Sequence, residues 1–199
     1  MIHRPLVLLS LNSWTSNMTT KRKVIVFGIF LALILNCSVL LYPKIFPPNV
    51  SVTIFFSPNG GCTQAIIDEI SNAKSEILVQ AYSFTSAPIA KALVEAHKRG
   101  IKVVVILDKS QKTAQYTSAT FLANSKIPTF IDERHAIAHN KIMIIDGTTV
   151  ITGSFNFTKA AEERNAENLL IIKSAELAKL YVENWKIHKD HSEPYESRY

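Results

Sequence analysis

The sequence predicts an α/β domain in which a mixed, largely parallel β-sheet is flanked by helices on both faces. Three observations predict it. Short runs rich in β-branched residues alternate with segments whose apolar residues recur at helical spacing, the pattern of parallel strands joined by crossover helices. Val103-Val104-Val105-Ile106 is an unbroken apolar run, as a strand covered on both faces requires. Asp146-Gly147 divides two further apolar runs and is a strong hairpin signal, which adds antiparallel pairing to the sheet.

The elements follow in order. Ser51 to Phe56 reads as a first strand, stopped by Pro58-Asn59-Gly60-Gly61. Ile66, Ile67, Ile70 and Ala73 give a helix one apolar face. Ile77-Leu78-Val79 opens a second strand running on through Tyr82. Ser86 as N-cap, Pro88 in the first turn, the stripe Ile89, Leu93 and Ala96, and Gly100 as terminator define the next helix. Lys102 to Leu107 is the third strand, and the polar stretch Lys109 to Thr117 reads as a loop at its carboxyl end, where open α/β sheets place ligands. A short helix near Ala119–Ala123 and a strand near Ile127–Ile131 lead to the hairpin formed by His139–Ile145 and Val150–Thr152. Asn168–Ile172 is another buried strand. After Ser174, Leu177, Leu180, Tyr181 and Trp185 mark an amphipathic helix that covers the sheet.

A chain of 199 residues with 47% hydrophobic content supports one domain with a real core. The organisation read from it is a basic targeting region (1–23), an apolar segment (24–42), a proline-containing linker (43–50), the domain (51–190) and a polar, frayed tail (191–199). Val24 to Tyr42 carries no charge over 19 positions and follows Lys21-Arg22-Lys23. That is the pattern of a transmembrane anchor with a cytoplasmic N-terminus, and equally of a signal-peptide hydrophobic region; either exports the domain across the cytoplasmic membrane. The net charge of +6 is unevenly placed. Four of the 22 Lys and Arg residues precede residue 43 and no acidic residue does, leaving 18 basic against 16 acidic side chains in the rest. A domain so near neutrality gives little support for a nucleic-acid partner. Cys37 and Cys62 form no disulfide framework, and Cys62 reads as an unpaired residue near the surface.

The chemistry concentrates in His139-Asn140-Lys141, with Asp146 at the hairpin turn and Gly153-Ser154-Phe155-Asn156 behind it. Side chains alternate along a strand, so His139 and Lys141 project from one face, a nucleophile or base beside a fixed cation. A lysine in an apolar strand demands a partner for its charge, and a phosphoryl group would provide one. Ser154 and Asn156, also two apart, can donate hydrogen bonds to phosphate oxygens. Asp146 lies an odd number of residues from His139, which sends it into the turn and away from substrate. His135-x3-His139 lacks the glutamate and helix of a zinc site, so no metal is expected.

His-x-Lys-x4-Asp over His139, Lys141 and Asp146, the Gly153–Phe157 segment and Asn165-Ala166-Glu167-Asn168 together resemble the signature of the phospholipase D superfamily. The resemblance spans roughly residues 52 to 188 and implies that superfamily's α-β-α sandwich. It implies a phosphodiesterase that needs no metal or cofactor. His139 attacks phosphorus to form a phosphohistidine, Lys141, Ser154 and Asn156 hold the phosphate, and Glu167 accepts the second His139 N–H. Asp146 and Gly153 are structural members of the motif.

In-line displacement needs an acid opposite the nucleophile, yet the motif occurs once. Larger members of the superfamily this chain resembles carry two copies and short members pair two chains, so the resemblance implies a homodimer with a shared active site. Short single-motif members resembling this chain include Nuc-type endonucleases and small phospholipases D. Nucleic acid is the leading substrate here and a glycerophospholipid the alternative, with a non-catalytic phosphate-binding module as a third reading. Lys109, Lys112, Lys126 and Arg134 are the basic candidates near the mouth. Phe56, Tyr82, Phe84 and Phe155 read as core aromatics. The apolar segment 24–42, if uncleaved, makes the membrane a partner.

Overall fold

The structure is a computed structural model that describes residues 50–113 and 117–196. The targeting region, the apolar segment and all of the linker but Val50 lie outside the described residues. Among the described residues no helix is long and apolar enough to cross a membrane.

The elements run β1 (Ser51–Ser57), α1 (Cys62–Asn72), β2 (Glu76–Ala81), α2 (Ala87–Lys98), β3 (Lys102–Asp108), α3 (Ser110–Thr113), α4 (Ala119–Asn124), β4 (Thr129–Asp132), β5 (Lys141–Ile145), β6 (Thr149–Gly153), α5 (Lys159–Glu163), β7 (Glu167–Lys173), α6 (Ala175–Asp190) and β8 (Glu193–Pro194). They build one sheet in the order β1-β7-β6-β5-β2-β3-β4-β8. The expected mixed α/β sheet is present, but parallel pairing is confined to β2–β3 and β3–β4. The other ladders are antiparallel, because the β5–β6–β7 meander is inserted between β2 and β1. β1 therefore closes the far edge and does not neighbour β2.

Alternation along each strand builds two apolar layers. On one face Val79, Val105, Met143 and Ile151 pack against Ile66 and Ile70 of α1, Ile89 and Leu93 of α2, and Leu122 of α4. On the other, Leu78, Ile106, Ile144 and Val150 pack against Ala178 and Trp185 of α6. Each such side chain withdrawn from water contributes roughly 1.5–3 kcal/mol, which explains why interrupted apolar runs suffice to fix the register. The Trp185 indole donates to the carbonyl of Val79 at 3.0 Å, pinning α6 to the central strand. Ser174 caps α6 by accepting from the Leu177 N–H at 3.2 Å, as Thr158 caps α5 by accepting from Ala161 at 3.1 Å.

Several expectations are corrected. The Lys109–Thr117 stretch contains a helical turn, α3, rather than loop alone. Leu180 is exposed, because the buried stripe of α6 passes through Ala178 and Trp185, with Leu177 and Tyr181 only partly covered. The tail is ordered at its start: β8 pairs with β4, and the Tyr195 hydroxyl lies 2.8 Å from that of Thr120. Cys62 is fully buried at the first turn of α1, and burial, reinforced by the Glu162 carboxylate, pushes its thiol up to about 11.

Candidate active site

The registers bring the motif residues other than Asp146 to one end of the sheet. Ala81, at the carboxyl end of β2, pairs with Lys141, Gly153 pairs with Leu169, and Ser57 pairs with Glu167. The loop that enters β5 is held from three sides. The Ala138 N–H donates to the buried Asp108 carboxylate at 2.6 Å, the Tyr82 N–H to the Asn140 carbonyl at 2.7 Å, and Lys109 Nζ to the His135 carbonyl at 2.9 Å. His139 is thereby presented on a fixed backbone, with its side chain exposed.

The His139 ring lies against Tyr82, with 4.6 Å between centroids. Lys141 is buried; its Nζ donates to the His139 carbonyl at 2.9 Å and stands 4.9 Å from the centroid of the same Tyr82 ring. His139 and Lys141 meet at this ring, with the ammonium bonded to the His139 main chain and the imidazole exposed. β5 begins at Lys141, so His139 lies in the loop before the strand rather than on it. Burial pulls the Lys141 pKa below the ordinary lysine value, and the Glu167 carboxylate acts in the opposite sense.

Ser154 and Asn156 follow β6, alternating with the fully buried Phe155 and Phe157 that anchor the segment. Ser154 Oγ accepts from the Asn168 N–H at 3.1 Å and from Asn168 Nδ2 at 3.3 Å, which leaves its own proton available. Asn156 Oδ1 is buried without a hydrogen-bond partner among the described residues. Gly153 has φ of +148°, and a Cβ there would lie 2.3 Å from the Asn168 carbonyl oxygen, so only glycine allows this approach. Glu167 Oε1 accepts from Asn165 Nδ2 at 3.0 Å. The expected hydrogen bond from His139 to Glu167 is not formed, and Glu167 reaches the site through its charge on Lys141.

Asp146 takes the place expected of it. It lies in the turn at the opposite end of β5, with φ of +53°, and accepts from the N–H groups of Lys74, Ser75 and Glu76 and from the Ser75 hydroxyl. Burial, the largest influence, would raise its pKa; these hydrogen bonds together outweigh it and hold the carboxyl below the usual value.

A cavity of about 490 Å³ opens beside His139 and Lys141, floored by Thr152 and Gly153 and walled by Leu177, Leu180 and Tyr181 of α6. A larger one of about 770 Å³, between α2 and α4, contains none of the motif residues. Two further expectations change here. Lys126 precedes β4 and so lies at the opposite end of the sheet, while Lys112 is paired with Glu133 at 2.7 Å. Of the aromatics, Phe84 and Phe155 are core, but Phe56 is 67% exposed on the edge strand and Tyr82 forms part of the site. Tyr82, Asn168 and the α6 wall were not assigned to the site from sequence. Tyr82 reaches the site because β2 pairs with β5, a neighbour relation that local sequence signals do not give.

Residues 66–187 match the family described as cardiolipin synthase, PLD-like domain. A phospholipase D of Rickettsia felis is 45% identical over 149 residues, covering 72% of this chain and 74% of that one. Mitochondrial cardiolipin hydrolase of Xenopus laevis is 28% identical over 121 residues, or 61% and 58% of the two chains. The crystal structure of Nuc from Salmonella typhimurium, a phospholipase D family member, superposes with a TM-score of 0.72 at 39% identity, over 75% of this chain and 100% of that one.

Proposed function

The chain belongs to the phospholipase D-like family of phosphodiester hydrolases, and from that premise we propose that it works without a metal, through a phosphohistidine on His139, as a homodimer with phospholipid as its leading substrate. The observation that carries the catalytic part is an exposed imidazole and a buried ammonium set against the same Tyr82 ring where the chain enters β5. A His139 ring nitrogen attacks phosphorus and the P–O bond to the alcohol breaks; water then attacks the phosphohistidine and frees the imidazole. Lys141, the Ser154 hydroxyl and the Asn156 amide stabilise the non-bridging oxygens. Glu167 favours the charged form of Lys141.

A second His139, from a second copy, protonates the leaving oxygen. Val52, Ile54 and Phe56 support this arrangement: they are exposed along edge strand β1, an apolar row of the kind that pairs with another chain. The substrate ranking departs from the sequence expectation for physical reasons. The basic side chains that would track a nucleic-acid backbone are dispersed or engaged, whereas Leu177, Leu180 and Tyr181 offer an apolar wall beside the nucleophile. The relatives named phospholipase D and cardiolipin hydrolase favour the same reading. Nucleic acid is the second reading, resting on the exposed Arg134 in the loop that enters β5.

The test is parallel turnover of phosphatidylcholine vesicles, cardiolipin vesicles and plasmid DNA by the full chain and by His139→Ala, with chelator present. Head-group release that disappears in the variant is expected. DNA cleavage without lipid turnover would reverse the substrate assignment, and full activity of a sedimenting monomer would overturn the shared site.

A further inference from the structure

Away from the nucleophile, residues distant in sequence converge on one buried carboxylate. Asp132 ends β4 with no solvent exposure, and His135 lies three residues on. His188 and His191 occupy the last turn and cap of α6, also three apart. Asp132 Oδ2 lies 2.8 Å from His188 Nδ1, 3.1 Å from His135 Nδ1 and 3.3 Å from His191 Nε2. The four donor atoms all lie within 4.8 Å of one another. The three rings are mutually tilted by 40° to 63°, with centroids 5.0 to 5.3 Å apart.

Hydrogen bonding accounts for two of the three rings: His188 Nδ1 lies against Oδ2, and His135 Nδ1 is 3.1 Å from both carboxylate oxygens. The third is left over. His191 Nε2 is buried and, among the described residues, has no partner of acceptable hydrogen-bond geometry. Three imidazole nitrogens and a carboxylate oxygen are, however, a complete ligand set for a tetrahedral late first-row cation. With bonds of about 2.0–2.2 Å, such an ion needs donors roughly 3.3–3.5 Å apart, which this cluster reaches by small adjustments. The donor set selects Zn²⁺ or a near relative over Mg²⁺ and Ca²⁺, which require mostly oxygen ligands. Asp132 ends β4 and His188 lies in the last turn of α6, so two of the four donors are held by regular elements, while His135 sits in the loop after β4 and His191 caps the helix.

We propose that Asp132, His135, His188 and His191 form a structural zinc-class metal site. All four positions are filled by protein, which leaves none for substrate or a reactive water. The ion staples the loop carrying His135 and His139 to the end of α6, next to the pairing of β8 with β4. It is a positioning device and takes no part in phosphoryl chemistry, and it stands whether or not the catalytic reading does.

The experiment titrates the purified full chain with Co²⁺ and then Zn²⁺, following visible absorption and thermal unfolding. One equivalent of Co²⁺ with the intense bands of tetrahedral geometry, displaced by Zn²⁺, is expected, together with a Zn²⁺-dependent rise in Tm. His135→Ala removes the most accessible ligand, 43% exposed, and is the variant least prone to misfold. It should weaken Co²⁺ binding by more than roughly 100-fold, beyond the 10–100-fold cost of losing an outer-shell partner. His188→Gln should act likewise, while His139→Ala should retain both spectrum and Tm shift. A weak octahedral spectrum, no uptake by the wild-type chain, or an unchanged spectrum in both cluster variants would overturn the site. Stabilisation by acid without metal uptake would identify a hydrogen-bonded histidine cluster instead.

Discussion

The imidazole of His139 leans on the ring of Tyr82, tilted by 58° with centroids 4.6 Å apart, and the Lys141 ammonium addresses the same ring at 4.9 Å. One aromatic ring therefore sets the positions of both the nucleophile and the phosphate-binding cation. Its hydroxyl forms no hydrogen bond among the described residues, so the ring itself is what matters. Tyr82→Phe should keep kcat within about threefold of wild type, whereas Tyr82→Ala should lower it roughly 10–100-fold, the scale of a 1 Å misplacement. Steady-state hydrolysis of bis(p-nitrophenyl) phosphate checks both. Equal losses in the two variants would show that the hydroxyl, and not the ring, is required.

Lys141 and Glu167 are coupled through charge, and the coupling has a sign. Burial depresses the lysine pKa and Glu167 partly restores it. Lys141 thus loses its proton at a lower pH than an ordinary lysine, and activity should fall on the alkaline side as it does. Glu167→Gln removes the restoring charge, so this alkaline limb should move further toward neutral pH. A pH–rate profile of the variant decides it; a limb that stays put would mean that Lys141 does not govern the alkaline loss.

Gly153 meets the Asn168 carbonyl where a Cβ would stand 2.3 Å away, and its φ of +148° adds backbone strain for any L side chain. Gly153→Ala should destabilise the fold by about 3 kcal/mol, combining overpacking with dihedral strain. Ser154 should lose its place as well, because its backbone N–H and its Oγ both bond to Asn168. Urea unfolding with kcat measured alongside tests this. A stable variant with reduced kcat would confine the effect to the site.

The pattern of legibility has a physical cause. Period-two alternation and the Asp146-Gly147 turn were enough to predict the hairpin and the removal of Asp146 from substrate, although the strand begins at Lys141 and leaves His139 in the loop before it. Local signals of that kind cannot say which strands become neighbours. Hence β1 reads as part of a β-α-β run but closes the far edge, and Phe56, apolar by sequence, is exposed there. Lys126 is close in sequence to the mouth-forming loop, yet it precedes a strand whose other end faces the site. The histidine cluster was missed for the same reason. His135 is near His139 along the chain, but its partners come from residues 188 and 191, delivered by α6 across the sheet.

Asp146 offers the clearest stability test because its partners lie far from the chemistry. Its folded pKa is depressed below the unfolded value of 3.8, so its contribution is complete above that value and is lost as pH falls through the lower folded pKa. Asp146→Ala leaves three N–H groups at the start of β2 without their acceptor and should cost about 2 kcal/mol near neutral pH, the scale of hydrogen bonds to a charged group. The gap between wild type and Asp146→Asn should narrow steadily once the pH drops below the ordinary aspartate range. Turnover measured well below either Tm should be unchanged in both variants. Urea unfolding at a series of pH values provides the measurement, and a stability gap that is constant down to the acid limit would mean that the charge of Asp146 is not what holds the turn.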